Sequence, residues 1–270
     1  MIRKTNASGS TGNMFRAVPL IGAALCLALA LWVARSADDP LTHTAQSYAA
    51  DIATKAAATY VTLRALNAVL STAQEFEVGV TIIASGTAQP LKILEPVDDT
   101  IERIAGLVFG IMVATGVLAV ALGPVSAVGL TLLGLGLVIA AFSARRMMSR
   151  RLAWYGGFLG LALPLGLTLA APLAGFLTET TYQRNLAVVT EITQSVGGTN
   201  IVEGEQVADL GLNDYRKIGT NVWQRADELI SGLVAMFGVY VFRIFILPLL
   251  LIGGMFFAVR SLARGAPGQA

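Results

Sequence analysis

The sequence predicts an all-α, polytopic membrane protein with four or five hydrophobic helices and two mainly helical extramembrane domains. Three observations carry that expectation. Of 270 residues, 55% are hydrophobic and 13% charged, which is roughly half the charged share of a water-soluble domain. Uncharged runs occupy 17–34, 104–144, 152–178 and, broken once by Arg243, 229–259, and about 20 residues of helix suffice to cross a bilayer. The 17 carboxylates are also segregated, nine between 36 and 103 and eight between 178 and 228.

The bases outside those windows, Arg35 and Arg243 aside, gather in three short pieces: Arg3, Lys4 and Arg16; Arg145, Arg146, Arg150 and Arg151; Arg260 and Arg264. Basic flanks of membrane helices are retained in the cytoplasm, whereas long loops cross largely regardless of charge. The expected order is therefore a basic cytoplasmic tail (1–16), a transmembrane signal anchor (17–35), an acidic periplasmic helical domain (36–103) and an apolar stretch (104–144). A basic cytoplasmic loop (145–151), a span (152–178), a second acidic periplasmic domain (179–228), a last span (229–259) and a cytoplasmic tail (260–270) follow. The first apolar run, at 18 residues, is long for a cleaved leader, which favours the anchor.

The stretch 104–144 raises a parity problem. Its 41 residues are enough for two crossings with Gly123 and Pro124 as the turn between them, but five crossings send the termini to opposite faces. Either it crosses once and re-enters, keeping both termini cytoplasmic, or it crosses twice as a hairpin and the amino terminus lies outside. The first arrangement satisfies more of the charges.

Within the first acidic window, Ile52, Ala56, Tyr60, Leu63, Leu66 and Leu70 recur at steps of three and four and predict an amphipathic helix over 44–74. Alternation at Phe76, Val78, Val80 and Ile82 predicts a β-hairpin over 76–94. Pro96 then opens a helix whose first turn holds Asp98 and Asp99, favourable against the helix dipole. In the second window, 180–195 reads as helix, 197–211 as loop and 213–228 as helix. The heptapeptide ERIAGLV at 102–108 recurs as ELISGLV at 228–234, matching at five of seven positions, which suggests a duplicated plan of the kind that gives some transporters internal pseudo-symmetry.

The segments RALNAVLSTAQ (64–74) and LEPVDDTIER (94–103) resemble a group of bacterial inner-membrane proteins known only as uncharacterised. The resemblance covers about 40 residues and extends toward the proline of the last span, around 247–249. It implies a bacterial inner-membrane location, and no activity, cofactor or site residue.

Candidate functional residues are few. Arg243 stands near the middle of an apolar run of 31 residues; a charge at mid-bilayer costs about 2.5–3.5 kcal/mol and marks a bundle interior or an aqueous path. The alternative is that the crossing begins at Ile244 and Arg243 snorkels at the outer surface beside Tyr240. No carboxylate falls within a predicted span to pair with it. Pro248 is expected to kink the same helix. Glu102 and Glu228 mark the places where outside helices enter the bilayer, as a cation-attracting pair or as solvated helix ends. Gly106 with Gly110, and Gly156 with Gly160, have the four-residue spacing that lets helices approach closely in lipid, while Gly129, Gly134 and Gly136 thin a third segment.

A single histidine, His43, and a single cysteine, Cys26, provide too few ligands for zinc, haem or iron–sulfur centres, and no cofactor is expected. His43 reads as a surface residue and Cys26 as an inert thiol. There is no Gly-x-Ser-x-Gly, no His-Glu-x-x-His and no phosphate loop, so enzymatic chemistry is not expected. Nor is nucleic-acid binding, since the bases sit where topology signals belong. The expected partners are the lipid bilayer and either another envelope protein or further copies of the chain. The function expected first is that of a non-enzymatic envelope scaffold, and second that of a channel or small transporter built on the bent last helix and Arg243.

Overall fold

The computed structural model describes residues 10–36, 39–83, 95–142, 146–197 and 220–265. The main elements are α1 (Ser10–Arg35), α2 (His43–Ile83), α3 (Glu95–Phe142), α4 (Arg146–Gly157), a π-turn (Phe158–Ala162), α5 (Leu163–Gly197), α6 (Ala226–Val241), a second π-turn (Phe242–Ile246) and α7 (Leu247–Gly265). Among the described residues there is no strand. Four helical stretches are long and apolar enough to cross a membrane: Ala17–Arg35, Glu95–Phe142, Met147–Gln194 and Ala226–Ala258. The protein is thus all-α and polytopic. It divides into two compact units, Met1–Ala49 with Val117–Pro172 and Ile246–Ala270, and Ala50–Gly116 with Leu173–Phe245.

In the first unit, glycine allows backbones to touch. A Cβ on Gly156 would stand 2.3 Å from the nitrogen of Leu133, one on Gly160 2.6 Å from that of Leu130, and one on Gly129 2.3 Å from the nitrogen of Gly160. The spacing of Gly156 and Gly160 is therefore used inside the chain, against α3, together with Gly129 and Gly136. Two hydroxyls tie the same seam: Ser126 donates to the carbonyl of Gly160 at 3.0 Å and Ser149 to that of Gly136 at 2.9 Å. The first contact has a covalent cause. Pro164 has no N–H to give to the carbonyl four residues back, which is that of Gly160. The chain answers with the π-turn Phe158–Ala162, closed by the N–H of Leu163 on the carbonyl of Phe158, and with the serine. Helix α1 packs on α3 through Ala30, Val33, Ala127 and Leu130.

The second unit has the core of a helical bundle. Ile52, Leu63, Leu66 and Leu70 of α2 are almost wholly buried, with Ile101, Ile192 and Leu229 from other helices; each such side chain is worth about 1.5–3 kcal/mol when removed from water. The apolar spacing read over 44–74 marks this face, although Tyr60 stays half-buried. Helices α2 and α3 run antiparallel there: the rings of Tyr60 and Phe109 are 5.3 Å apart, Arg64 faces Glu102 at 3.9 Å, and Ser71 donates to Asp98 at 3.3 Å.

Several expectations are corrected. No turn forms at Gly123 and Pro124, because α3 continues through both. One proline removes a single hydrogen bond, whereas breaking a helix in apolar surroundings strands several backbone groups. Gly123 instead makes room for Gln46, whose Nε2 lies 2.7 Å from where a Cβ would stand. Hairpin and re-entrant element are both replaced by one helix. The β-hairpin over 76–94 is absent as far as Ile83, since α2 extends to that residue; positions 84–94 lie outside the described residues. The basic piece 145–151 is helical from Arg146 onward rather than a loop. The domain boundaries at 103 and 178 fall within the continuous helices α3 and α5. Positions 198–211 of the expected loop and 213–219 of the helix expected over 213–228 lie outside the described residues; 220–228 is helical apart from a turn at Arg225.

The start of α2 is set by Asp39, nearly fully buried. Its Oδ1 accepts from the backbone of Leu41 and Thr42 and its Oδ2 from the Thr42 hydroxyl at 2.6 Å, satisfying amides that a helix end leaves unpaired. His43 follows as an exposed residue.

Glycine substitutions separate the two kinds of glycine in this chain. Gly160→Ala, which places a methyl against backbone, is expected to lower unfolding stability in detergent by at least about 2 kcal/mol, in the range of overpacked cores. Gly110→Ala, which meets open space, is expected to leave it unchanged or raise it by up to about 1 kcal/mol through helix propensity. Thermal unfolding of the two purified variants measures the difference.

Candidate functional site

Three helices of the second unit bring polar side chains into one cluster with a buried centre. Asp51, Lys55 and Thr59 follow one another at four-residue steps on α2, so they share a face. Thr178, Glu179 and Tyr182 belong to α5, Tyr240 to α6, and Arg243 to the π-turn that follows it. Tyr240 is fully buried; Thr59, Tyr182 and Arg243 are 5%, 4% and 3% exposed. The Tyr240 hydroxyl lies 2.9 Å from that of Thr59 and donates to that of Tyr182 at 3.3 Å, and the two tyrosine rings meet edge to face at 5.8 Å.

Arg243 is held by several partners. Its Nε donates to Thr178 at 2.7 Å and its Nη2 to Glu179 at 2.9 Å, while the guanidinium lies 5.4 Å from the centre of the Tyr182 ring, within reach of a cation–π attraction. Gln183 donates to the other Glu179 oxygen at 2.7 Å. Lys55 lies 5.8 Å from the same tyrosine ring and is paired with Asp51 at 2.8 Å. Two cations are thereby matched by two carboxylates. Buried charge is tolerable only when paired and hydrogen-bonded, and Arg243, the buried charge here, meets that condition, while Lys55 and Asp51 form a partly exposed pair at the edge of the cluster.

The absence of a carboxylate from the predicted spans does not leave Arg243 without an acidic partner. Glu179 stands one residue beyond the apolar run that ends at Thr178, so a search confined to the runs excludes it. Antiparallel packing of α5 on α6 brings it opposite Arg243. Pro248 occupies the second position of α7, just after the π-turn Phe242–Ile246, and the carbonyl it deprives of a donor is that of Ile244. The two described π-turns are each followed by a proline two residues on, Pro164 and Pro248.

Glu102 and Glu228 do not stand free. Glu102 faces Arg64, and Glu228 accepts from Arg225 at 3.0 Å, which also reaches Glu191 at 2.8 Å. Glu191 and Glu228 together hold the Arg225 guanidinium above its ordinary pKa. Both Glu102 and Glu228 are largely exposed. Gly106 and Gly110, in contrast to Gly156 and Gly160, have open space beside them: among the described residues, no atom outside their own stretch of helix lies within 4 Å of either Cβ position. Gly232, the counterpart of Gly106 in the repeated heptapeptide, packs on α5 beside Val189 at 3.3 Å, so the two copies have different surroundings. Thr59 and Tyr182 were missed by sequence reasoning because threonine and tyrosine at helical spacing carry no signal separating a buried polar cluster from ordinary packing.

These features define the protein as a multi-pass membrane protein with a charge-balanced cluster in one helical unit. No family model, no curated protein and no solved structure matches the chain.

The cluster yields a measurable coupling. In a double-mutant cycle of Arg243→Gln and Glu179→Gln, unfolding in detergent is expected to show an interaction energy of about 1–3 kcal/mol, as for contacting partners in one network. The same cycle on the exposed Arg64 and Glu102 is expected to give about 0–1 kcal/mol.

Proposed function

We propose that the protein is a non-enzymatic scaffold or interaction component of the bacterial inner membrane, and that it self-associates through the amino-terminal half of α3. The observation that carries this reading is the continuity of α3. Its uncharged part, 104–142, is 39 residues, or about 58 Å at the usual rise. The hydrocarbon core is about 30 Å thick, and even a tilt of about 40° accommodates only about 26 residues. Roughly 13 apolar residues therefore extend beyond the hydrocarbon. The basic residues just past Phe142 anchor the carboxyl end at the cytoplasmic surface, so the surplus is 104–116.

That surplus carries Gly106 and Gly110 with open space beside them among the described residues, alongside exposed Leu107, Phe109 and Val113. An apolar face reaching out of the bilayer demands a protein cover. Small residues four apart favour a second copy, because two identical backbones can then approach closely. Pairing of Arg243, Glu102 and Glu228 within the chain further supports a structural role for the charges. An even number of crossings, which a single α3 allows, also agrees with the three basic pieces sharing one face.

A second reading, a channel or small-solute transporter, draws support from the burial of Arg243 within a π-turn that ends two residues before Pro248, since π-turns and intramembrane charges recur at functional sites. The two readings predict different results. Self-association predicts energy transfer between labelled copies at high dilution in vesicles, lost by at least about tenfold in apparent affinity in Gly110→Ile, with Gly110→Ala close to wild type. A strictly monomeric wild-type chain refutes it. Transport predicts flux in reconstituted vesicles that Arg243→Gln abolishes; its absence from the wild type refutes that reading instead.

A further inference from the structure

The first unit contains an open cavity of about 1040 Å³ between α4 and α7, lined by Arg150, Arg151, Trp154, Tyr155, Phe256 and Arg260 among others. Its size is at the upper end of the roughly 300–1,000 Å³ of small-molecule sites. The ring centres of Trp154 and Phe256 are 5.2 Å apart in an edge-on contact that joins the two helices. Arg150 lies four residues before Trp154, and Arg260 four residues after Phe256. Each arginine therefore sits one helical turn, about 5.4 Å, from the aromatic layer. The result is an aromatic tier with guanidinium groups one turn above it.

No acid falls between residues 103 and 178 or after 228, and among the described residues no ion pair involves these three arginines. Among the described residues, three positive charges thus converge on one cavity without a counter-charge. Guanidinium groups match phosphate oxygens in geometry as well as in charge. The lower tier is apolar and exposed: Trp154, Tyr155 and Phe256 are 57%, 62% and 45% accessible. Aromatic rings of this type sit at headgroup level in membranes, and basic pockets between membrane helices bind anionic headgroups. A free phosphate would use the upper tier alone, whereas a phospholipid uses both, its phosphate on the arginines and its glycerol and upper acyl carbons on the rings.

We propose that this cavity is a binding site for the phosphate headgroup of an anionic phospholipid. The test uses the purified, delipidated full-length chain in neutral detergent. Binding of phosphatidylglycerol, cardiolipin and phosphatidylcholine is measured by native mass spectrometry, and inorganic phosphate serves as competitor. Each basic residue near a membrane surface is worth about a fivefold preference for anionic lipid. The wild type is therefore expected to retain the anionic lipids at least about tenfold better than phosphatidylcholine, and Arg150→Gln with Arg260→Gln to lose about 25-fold. Arg150→Lys with Arg260→Lys, which keeps the charge, is expected to stay within about threefold of wild type. Raising the salt on the unmodified chain must weaken retention as well, a readout that holds even if the glutamine variant fails to fold. Equal retention of phosphatidylcholine, salt-independent binding, or full retention by a folded glutamine variant overturns the proposal. Displacement of the lipid by millimolar inorganic phosphate assigns the site to free phosphate and overturns the lipid assignment.

Discussion

The constraint on which the rest of the structure depends is that backbone polar groups removed from water need a partner within the protein. Helix supplies nearly all of them, and the places where it falls short are the places where something else is built. Pro124 interrupts one donor and α3 continues regardless. Pro164 deprives the carbonyl of Gly160, and the chain responds with a π-turn and the hydroxyl of Ser126. Pro248 stands in the same relation to the π-turn that contains Arg243. The irregularities therefore follow from imino acids at fixed places in the sequence.

Close backbone approach is the second consequence. Where Gly129, Gly156 and Gly160 face one another, α3 and the α4–α5 rod come within a distance that a single methyl group would forbid, so dispersion and hydroxyl-to-carbonyl contacts replace the hydrophobic effect, which is weak between helices already surrounded by lipid. The second unit is held differently. Its α2 buries Ile52 and several leucines in the manner of a water-exposed bundle, and it holds a cluster in which buried hydroxyls and the buried Arg243 are satisfied together with Glu179, the Lys55–Asp51 pair lying partly exposed at its edge. Such clusters contribute less to net stability than to specificity of packing, because desolvation offsets most of the Coulomb gain. Tyr182 is central here: its ring lies near both cations and its hydroxyl accepts from Tyr240.

Much of this was legible beforehand. The apolar runs, the helical face Ile52 to Leu70, the exposed His43 and the close-packing role of Gly156 and Gly160 all follow from spacing and composition. The errors have a shared cause. Gly123 with Pro124 reads as a turn, and Phe76 to Ile82 as a strand, when local preference is weighed alone. A buried helix overrides both, since continuing it costs one hydrogen bond or some strand propensity while ending it costs several unsatisfied groups. Gly106 and Gly110 carry the same spacing as Gly156 and Gly160, yet no described helix covers them; periodicity reports that close approach is permitted, not where it happens.

Composition and charge distribution were enough to determine that this chain is helical, multi-pass and asymmetric in charge, because those properties are sums over residues and depend on solvent more than on contacts. The partner of Arg243, the two environments of the glycine pairs and the convergence of Arg150, Arg151 and Arg260 were decided only by tertiary structure. Each of them joins residues from helices that the chain separates by dozens of positions, and no local preference encodes which faces will meet.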